Sequence, residues 1–355
     1  MSNKMKTLLH ICNYAAPYSG NFISSLRSLE KYEQIKNVYL FPHQANESGA
    51  KVWIDELNQE GTCAYIQDPS KWKTFLMLKR IMREHRVDNV VMHFSNLQTD
   101  LIVKFAVSKK RVIRFFHNPY RPRRKSVHFL RRFLWNGNTF AGVSNSVANG
   151  LKVIFPKQRV CPVVNAIDFS RLDQVEHFDR KGKIVATIMG WDQRRKGLDL
   201  ALTAISRLRS KYEIVLQIVA AINGEQMDQF IVDTLGQRVD WAIILPPRND
   251  VATYLSETDV FLSPSRDEAF GYAVVEAAYC ENSIVASRVD GQAELEIDGV
   301  YWFESENVDE LCRQIERSIV ELNTPEKIAQ RSAVKESVQR TYSLEKWSRK
   351  VAQLL

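Results

Sequence analysis

The sequence predicts an α/β protein built twice over, two doubly wound parallel sheets in two domains, and three observations carry that expectation. Short apolar runs are continuous rather than alternating, the pattern of strands covered on both faces. Stretches of helical character fall between them, as the crossovers of parallel sheets require. The 355 residues suffice for two cores at roughly 100 to 200 residues per domain.

In chain order, strands are expected over Thr7 to Cys12, Asn37 to Phe41, Asn89 to Phe94, Arg111 to His117, Thr139 to Ser144 and Val160 to Ile167, each an apolar run. Helices fall between them over Asn21 to Tyr32, Lys71 to His85, Asn96 to Val107, Lys125 to Trp135 and Asn145 to Val153. Residues Asp168 to Lys183 are polar throughout most of their length and read as the interdomain linker. The second half repeats the alternation. Strands are expected over Ile184 to Gly190, Glu213 to Ala220, Trp241 to Leu245, Asp259 to Ser263, Ser283 to Ser287 and Val300 to Phe303. The helices are Gly197 to Ser210, Gly224 to Leu235, Val251 to Thr258, Gly271 to Cys280 and Val308 to Leu322. The division is 1–170, 171–340 and a last amphipathic helix within Leu344 to Leu355, whose Trp347 and Val351 must dock on something.

Composition excludes disordered, collagen-like and low-complexity classes, with 45% hydrophobic and 25% charged residues. Five cysteines (Cys12, Cys63, Cys161, Cys280, Cys312) show no metal-ligand or disulfide spacing, which fits a reducing cytoplasm. The apolar run Leu8 to Cys12 is too short for a signal peptide, and no stretch reaches the roughly 18 apolar residues of a membrane span, so a soluble or peripheral protein is expected. Charge is unevenly spread. Residues 1–170 hold 26 Lys and Arg against 11 Asp and Glu, while the rest of the chain holds 23 against 30. From 101 to 167 there is no acidic residue, and Arg121, Arg123, Arg124, Lys125, Arg131 and Arg132 fall there, interleaved with Tyr120, Phe129, Phe133, Leu134 and Trp135. Such a field suits nucleic acid, an anionic membrane or a phosphorylated ligand. If Lys125 to Trp135 is helical, Phe129, Phe133 and Leu134 are expected to face the sheet, with the cations outside.

Open parallel sheets bind ligands at the carboxyl ends of their strands. The strand Asp259 to Ser263 runs into Pro264-Ser-Arg-Asp-Glu-Ala-Phe-Gly-Tyr272 and then a helix, so the free amides of Phe270, Gly271 and Tyr272 offer an anion site. Glu276 stands among Val274, Val275, Ala277 and Ala278 and needs hydrogen-bond donors, whether ligand hydroxyls or a basic side chain. After the strand Ile184 to Gly190, Arg194, Arg195 and Lys196 precede Gly197, three cations able to neutralise a diphosphate. No two aspartates stand two apart, so no Asp-x-Asp pair is present to hold a divalent cation. There is no GxxxxGK[ST] and no GxGxxG.

The segment Pro264 to Ala278 resembles the E-x7-E segment of GT-B glycosyltransferases, most closely family 4, with Glu268 and Glu276 as its glutamates. Gly190 with Lys196-Gly197, Val143-Ser144, Asn165 to Asp168 and Asp290 to Glu294 resemble further pieces of that family, in its order. The resemblance implies two Rossmann-like domains facing a cleft and a last helix that crosses back to the N-domain. It implies a retaining, metal-independent hexosyltransferase that takes a nucleotide-diphosphate sugar, a uridine diphosphate sugar as first choice, with no other cofactor. Lys196 would hold the diphosphate, Glu268 the donor sugar, the Phe270-Gly271-Tyr272 backbone sugar and phosphate, and Glu276 the ribose. His117 matches the family's N-domain histidine beside the sugar.

Three departures are visible. Trp191 stands where the family commonly has Arg, which passes that role to Arg194 or Arg195. The first glycine-rich loop is reduced to Tyr18-Ser19-Gly20-Asn21, leaving Gly20 for close approach of the donor. Cys280-Glu-Asn-Ser283 lacks the usual glycine, and Asn282 is expected to take the left-handed turn. The expected acceptor is a cell-envelope or lipid-linked glycan, met on the basic half at the inner face of a membrane. The alternative is a binding protein of this fold for nucleic acid or phosphorylated ligands, without transfer.

Overall fold

The computed structural model describes residues 5–16, 19–46, 49–94, 96–107, 112–122, 124–173, 182–190, 192–220, 224–248 and 250–355. The chain divides into unit 1, Met1–Ala166 with Leu344–Leu355, and unit 2, Ile167–Ser343.

Unit 1 has one seven-stranded sheet of β1 (Thr7–Cys12), β2 (Lys36–Phe41), β3 (Cys63–Ile66), β4 (Asn89–His93), β5 (Val112–Phe116), β6 (Thr139–Gly142) and β7 (Arg159–Pro162). Their order is β3-β2-β1-β4-β5-β6-β7 and every pairing is parallel. Alternate residues serve opposite faces, as a pleated strand dictates. Leu8, Cys12, Tyr39, Phe41 and Phe115 pack with α1 (Gly20–Glu33), α2 (Ala50–Gln59) and the last helix. Leu9, Ile11, Val38, Leu40 and Val90 pack with α3 (Lys71–Glu84) and α4 (Leu97–Ala106). Asn96 caps α4 by accepting from the Gln98 and Thr99 amides. Beyond α4 lies α5 (Lys125–Leu134), and α6 (Asn145–Ile154) follows β6, capped by Ser144.

Unit 2 has a six-stranded parallel sheet of β8 (Ile184–Met189), β9 (Ile214–Val219), β10 (Ala242–Leu245), β11 (Val260–Ser263), β12 (Ser283–Ser287) and β13 (Tyr301–Phe303), in the order β10-β9-β8-β11-β12-β13. One face is covered by α7 (Leu198–Leu208), α8 (Gly224–Leu235) and α11 (Val308–Glu321). The other is covered by α9 (Ala252–Ser256), α10 (Tyr272–Tyr279) and α12 (Pro325–Thr341). The last helix, α13 (Leu344–Ala352), packs on α1 in unit 1, burying Trp347 and Val351, with Ser348 Oγ 2.6 Å from Ser28 Oγ.

Several elements differ from the sequence-based expectation. β3 was not expected, because Cys63-Ala-Tyr-Ile is a short, only partly buried edge strand. Neither were α2 and α12; the latter is polar around most of its circumference and buries only Val334 and Val338. The run Val160 to Ile167 is strand only to Pro162, and Ile167 forms an isolated parallel bridge to Ser343. The change of unit falls between Ala166 and Ile167, and Phe169 and Leu172, inside the stretch read as linker, are buried in the core of unit 2. The remainder of that stretch, 174–181, lies outside the described residues.

Candidate functional site

In unit 2 the strand order reverses between β8 and β11. The chain leaves both strands at their carboxyl ends, the place where ligands enter open parallel sheets. The loop after β8 carries Arg194, Arg195 and Lys196, and the loop after β11 carries Pro264 to Gly271. They are tied backbone to backbone. The Arg266 amide donates to the Arg195 carbonyl at 2.8 Å, and the Arg195 guanidinium donates to the Asp267 carbonyl at 3.1 Å. Across this seam the Lys196 ammonium donates to the Glu268 carboxylate in a largely buried ion pair.

Two glycines hold the seam close. A Cβ at Gly190 would stand 2.4 Å from Lys196 Cγ, so the glycine makes room for the lysine stem. Gly197, at φ +70°, would place a Cβ 2.0 Å from the Pro264 carbonyl oxygen, which no side chain tolerates. Behind them, the Arg266 guanidinium grips Asp199 of α7 through two hydrogen bonds of 2.8 and 2.9 Å and also pairs with Glu306. Gln292 Nε2 donates to the Ser263 and Ser287 carbonyls, and the Gly291 amide donates to the Glu268 carbonyl at 2.9 Å, so the Asp290–Glu294 stretch braces Glu268 from behind.

Gly271, at φ +99°, opens α10, whose first turn presents Tyr272. Phe270 is buried, its ring against Tyr272 and Tyr342. Glu276 is buried on the same helix with Arg171 Nη1 3.9 Å from its carboxylate, the basic neighbour that a buried charge needs. Burial, and then the Glu276 charge, push the Tyr272 hydroxyl pKa up, so it stays a donor. Arg194 is exposed. Trp191 lies outside the described residues. The left-handed residue after α10 is Glu281, at φ +58°, not Asn282. The Asn282 side chain instead reaches into the core, where its Nδ2 donates to the Leu255 and Thr258 carbonyls, a task that fixes it and shifts the turn one residue earlier.

In unit 1 the order reverses between β1 and β4. Gly20 is the first residue of α1, at φ +53°, while Tyr18 lies outside the described residues. Phe22, on the first turn of α1, sets its ring edge on His117 with centroids 5.3 Å apart. His117 follows β5 and stacks on Phe94 at 4.5 Å. Its Nε2 lies 3.0 Å from Nδ1 of His93, whose Nε2 lies 3.2 Å from Nδ1 of His10. Burial pushes the pKa values of His10 and His117 down to about 4. That of His93 falls well below the ordinary range through burial and its two histidine neighbours. All three rings are neutral at pH 7.

The basic segment is rearranged relative to expectation. Arg121, Arg124, Lys125 and Arg132 are exposed, and Arg123 lies outside the described residues. Arg131 turns inward. Its Nε lies 3.9 Å from the buried Asp100 carboxylate, which pairs with Arg114 at 2.5 Å, and its guanidinium stacks over Trp135 and Tyr120. With Arg131 and Leu134 on the inner face of α5, the positions of Phe129 and Phe133 are carried outward: these rings are 77% and 63% exposed. The expectation that they face the sheet is overturned; of the three, only Leu134 is buried. Phe105 on the neighbouring α4 is 75% exposed, and Lys104 lies over the Phe133 ring.

Sequence reasoning missed Arg266 and Gln292, which brace the loops, and Asn37, His10 and His93. The signal for the histidines was present: His10, His93 and His117 each stand in or beside an otherwise apolar strand, near its carboxyl end.

Residues 170–334 match the family described as glycosyl transferases group 1. The chain is 31% identical over 158 residues to the phosphatidylinositol N-acetylglucosaminyltransferase GPI3 protein of Saccharomyces cerevisiae, a match that covers 43% of this chain and 35% of that protein's length. Among solved structures, a glycosyltransferase from Rickettsia africae superposes with a TM-score of 0.80 at 16% identity, over 99% of this chain and 98% of that one. Anabaena Alr3699/HepE in complex with UDP and glucose superposes with a TM-score of 0.76 at 12% identity, over 98% of both chains.

Proposed function

Because the chain has the GT-B glycosyltransferase fold and its residues 170–334 match the group 1 glycosyl transferases, we propose that it is a retaining glycosyltransferase that moves a sugar from a nucleotide diphosphate to an acceptor hydroxyl. The observation that supports this best is the Lys196–Glu268 pair at the β8/β11 reversal, beside the N-terminus of α10. An ammonium has three donors, and Glu268 occupies one; the others remain for a phosphate oxygen. Diphosphate and sugar are adjacent in such a donor, as Lys196 and Glu268 are adjacent here. The relative solved with UDP and glucose bound supports a uridine diphosphate sugar as the donor.

In this reading the bond between the anomeric carbon and the diphosphate oxygen breaks, and a bond from the acceptor oxygen to that carbon forms on the same face. The acceptor proton passes to the leaving phosphate. Charge grows on the diphosphate, and Lys196, Arg195 and the α10 amides at Gly271 and Tyr272 stabilise it more than they stabilise the ground state. Glu268 orients the sugar ring and Glu276 accepts from ribose hydroxyls. The cations of the loop meet the charge without a divalent metal.

The acceptor is a lipid-linked or cell-envelope glycan presented at an anionic membrane surface. The exposed Phe105, Phe129 and Phe133 beside Arg121, Arg124, Lys125 and Arg132 support this, since aromatic and basic side chains together suit a headgroup boundary. No helix among the described residues is long and apolar enough to cross a membrane. Incubation with a panel of nucleotide sugars tests the reading: hydrolysis or transfer is expected with at least one uridine diphosphate sugar, and neither binding nor turnover with any nucleotide sugar would refute it.

A further inference from the structure

On the α1 face of the unit 1 sheet, four polar side chains cross four neighbouring strands on one diagonal. Each step moves one strand over and two residues toward the carboxyl end. Asn37 of β2 is in register with Leu8, two before His10; His10 is in register with Val91, two before His93; His93 is in register with Phe115, two before His117. Residues two apart on a strand share a face, so all four enter one layer. Apolar side chains surround them: Leu8, Cys12, Ile113, Phe115 and, from α1, Leu26. Polar groups in such a layer are unfavourable unless each donor finds an acceptor.

The inner end of the diagonal fixes every direction in it. Asn37 Nδ2 donates to the Leu26 carbonyl at 2.8 Å, so the oxygen Oδ1 is the end facing His10 Nε2 at 2.9 Å. An amide oxygen only accepts, and His10 therefore carries its proton on Nε2 and offers Nδ1 as acceptor. A neutral imidazole has one donor and one acceptor. His93 must then donate from Nε2 to His10 and accept at Nδ1, and His117 must donate from Nε2 to His93. The sequence of directions ends at the Nδ1 lone pair of His117.

We propose that Asn37, His10 and His93 are positioning residues that hold His117 as its neutral Nε2–H tautomer, so that its Nδ1 meets the ligand as a hydrogen-bond acceptor. The Asn37 amide neither takes nor releases a proton, so the chain orients the outer imidazole rather than conducting a proton away from it. An outer acceptor suits a hydroxyl and does not suit a phosphate oxygen, which is itself an acceptor. Identifying that hydroxyl as one of a sugar rests on the proposed transfer reaction; the tautomer itself does not.

The test is two-bond 1H–15N correlation spectroscopy of the histidine rings in the full-length, ligand-free chain at neutral pH. The expected result is a pyrrole-like Nε2 and a pyridine-like Nδ1 for His10, His93 and His117 alike. Asn37→Leu removes the inner acceptor, and His117, three hydrogen bonds away from Asn37, is then expected to show a mixture of tautomers. A pyridine-like Nε2 on wild-type His117, or a His117 spectrum unchanged by Asn37→Leu, overturns the proposal. If Asn37→Leu fails to fold, the wild-type spectrum decides alone. The expected pattern in a protein without sugar transfer supports the positioning chain and refutes only the reading of the reaction.

Discussion

The Lys196 ammonium and the Glu268 carboxylate, 72 residues apart in sequence, pair across two loops that leave neighbouring strands of one sheet. The pair sits at the reversal of strand order, so the protein has already placed a cation and a hydrogen-bonding carboxylate side by side where a ligand enters. Electrostatic groups fixed before the reaction need no reorganisation when charge develops.

Lys196→Ala and Glu276→Ala are each expected to weaken nucleotide-sugar binding about ten- to a hundredfold, the loss of a charge-assisted contact being worth roughly 1.5–3 kcal/mol. Calorimetric titration measures this. Wild-type affinity in both variants would remove these residues from the site.

The two glycines of the same loop separate binding from folding. Gly190→Ala presses on the Lys196 stem, so donor affinity is expected to fall at least tenfold with a small change in stability. Gly197→Ala combines a left-handed backbone with a clash against the Pro264 carbonyl, so it is expected to lower the thermal midpoint markedly. The reverse pattern in thermal melts and titrations would contradict the account of the seam.

Much of this was readable from residue order, and the reasons are local. Continuous apolar runs such as Thr7–Cys12 and Ser283–Ser287 mark central strands of parallel sheets, and both fall where expected. The edge strand Cys63–Ile66 lacks that mark because an edge is only half covered. That Gly190, Lys196, Glu268 and Gly271 stand together on loops at strand ends was legible because the strand-to-helix transitions around them are marked in the sequence. The outward turn of Phe129 and Phe133 was not. It depends on Arg131 being drawn to a buried Asp100–Arg114 pair, a contact between three elements that periodicity within one helix does not encode. The polar diagonal was hidden for a similar reason: its members are separated in sequence and meet only through strand register.

Stability is expected to fall on mild acidification. His10 and His117 titrate near 4 in the folded chain because burial disfavours the imidazolium, against 6.5 when unburied, and His93 is lowered likewise. Between those values the unfolded chain binds more protons, so stability is intact above about pH 6.5 and declines as pH drops toward 4. Fully expressed, His10 and His117 each contribute on the order of 3 kcal/mol to that decline, and His93 acts in the same direction. Urea midpoints from pH 7.5 to 4.5 would show it, and His93→Leu, with one fewer titrating ring, is expected to decline less steeply. Equal slopes in the two proteins would contradict the assignment.

Turnover is expected to survive chelation. No two aspartates stand two apart in the chain, and in the proposed reaction Arg194, Arg195 and Lys196, on one loop, would meet the diphosphate directly. Complete loss of activity in EDTA, restored by manganese or magnesium, would overturn metal independence while leaving the donor site in place.

The surface of α5 yields the last expectation. A solvated basic helix ordinarily keeps its aromatics inside, yet Phe129 and Phe133 are exposed, as is Phe105 on the neighbouring α4, while Arg131 is drawn inward. Exposed apolar side chains scattered singly are ordinary, whereas neighbouring exposed rings rimmed by polar residues mark a surface that a partner or a membrane covers. With Arg121, Arg124, Lys125 and Arg132 around them, an anionic bilayer satisfies both parts: the cations are attracted to the headgroups and the rings enter the boundary below. Attraction by cations is screened by salt, whereas ring insertion is not. Co-sedimentation with anionic vesicles is therefore expected to weaken but persist at high salt for the wild type, and to disappear there for Phe129→Ala/Phe133→Ala. Because both rings are exposed, the double variant is expected to fold and to keep wild-type affinity for the nucleotide sugar. Equal, negligible binding to anionic and neutral vesicles, together with tight binding of random-sequence RNA, would instead assign the basic face of unit 1 to nucleic acid.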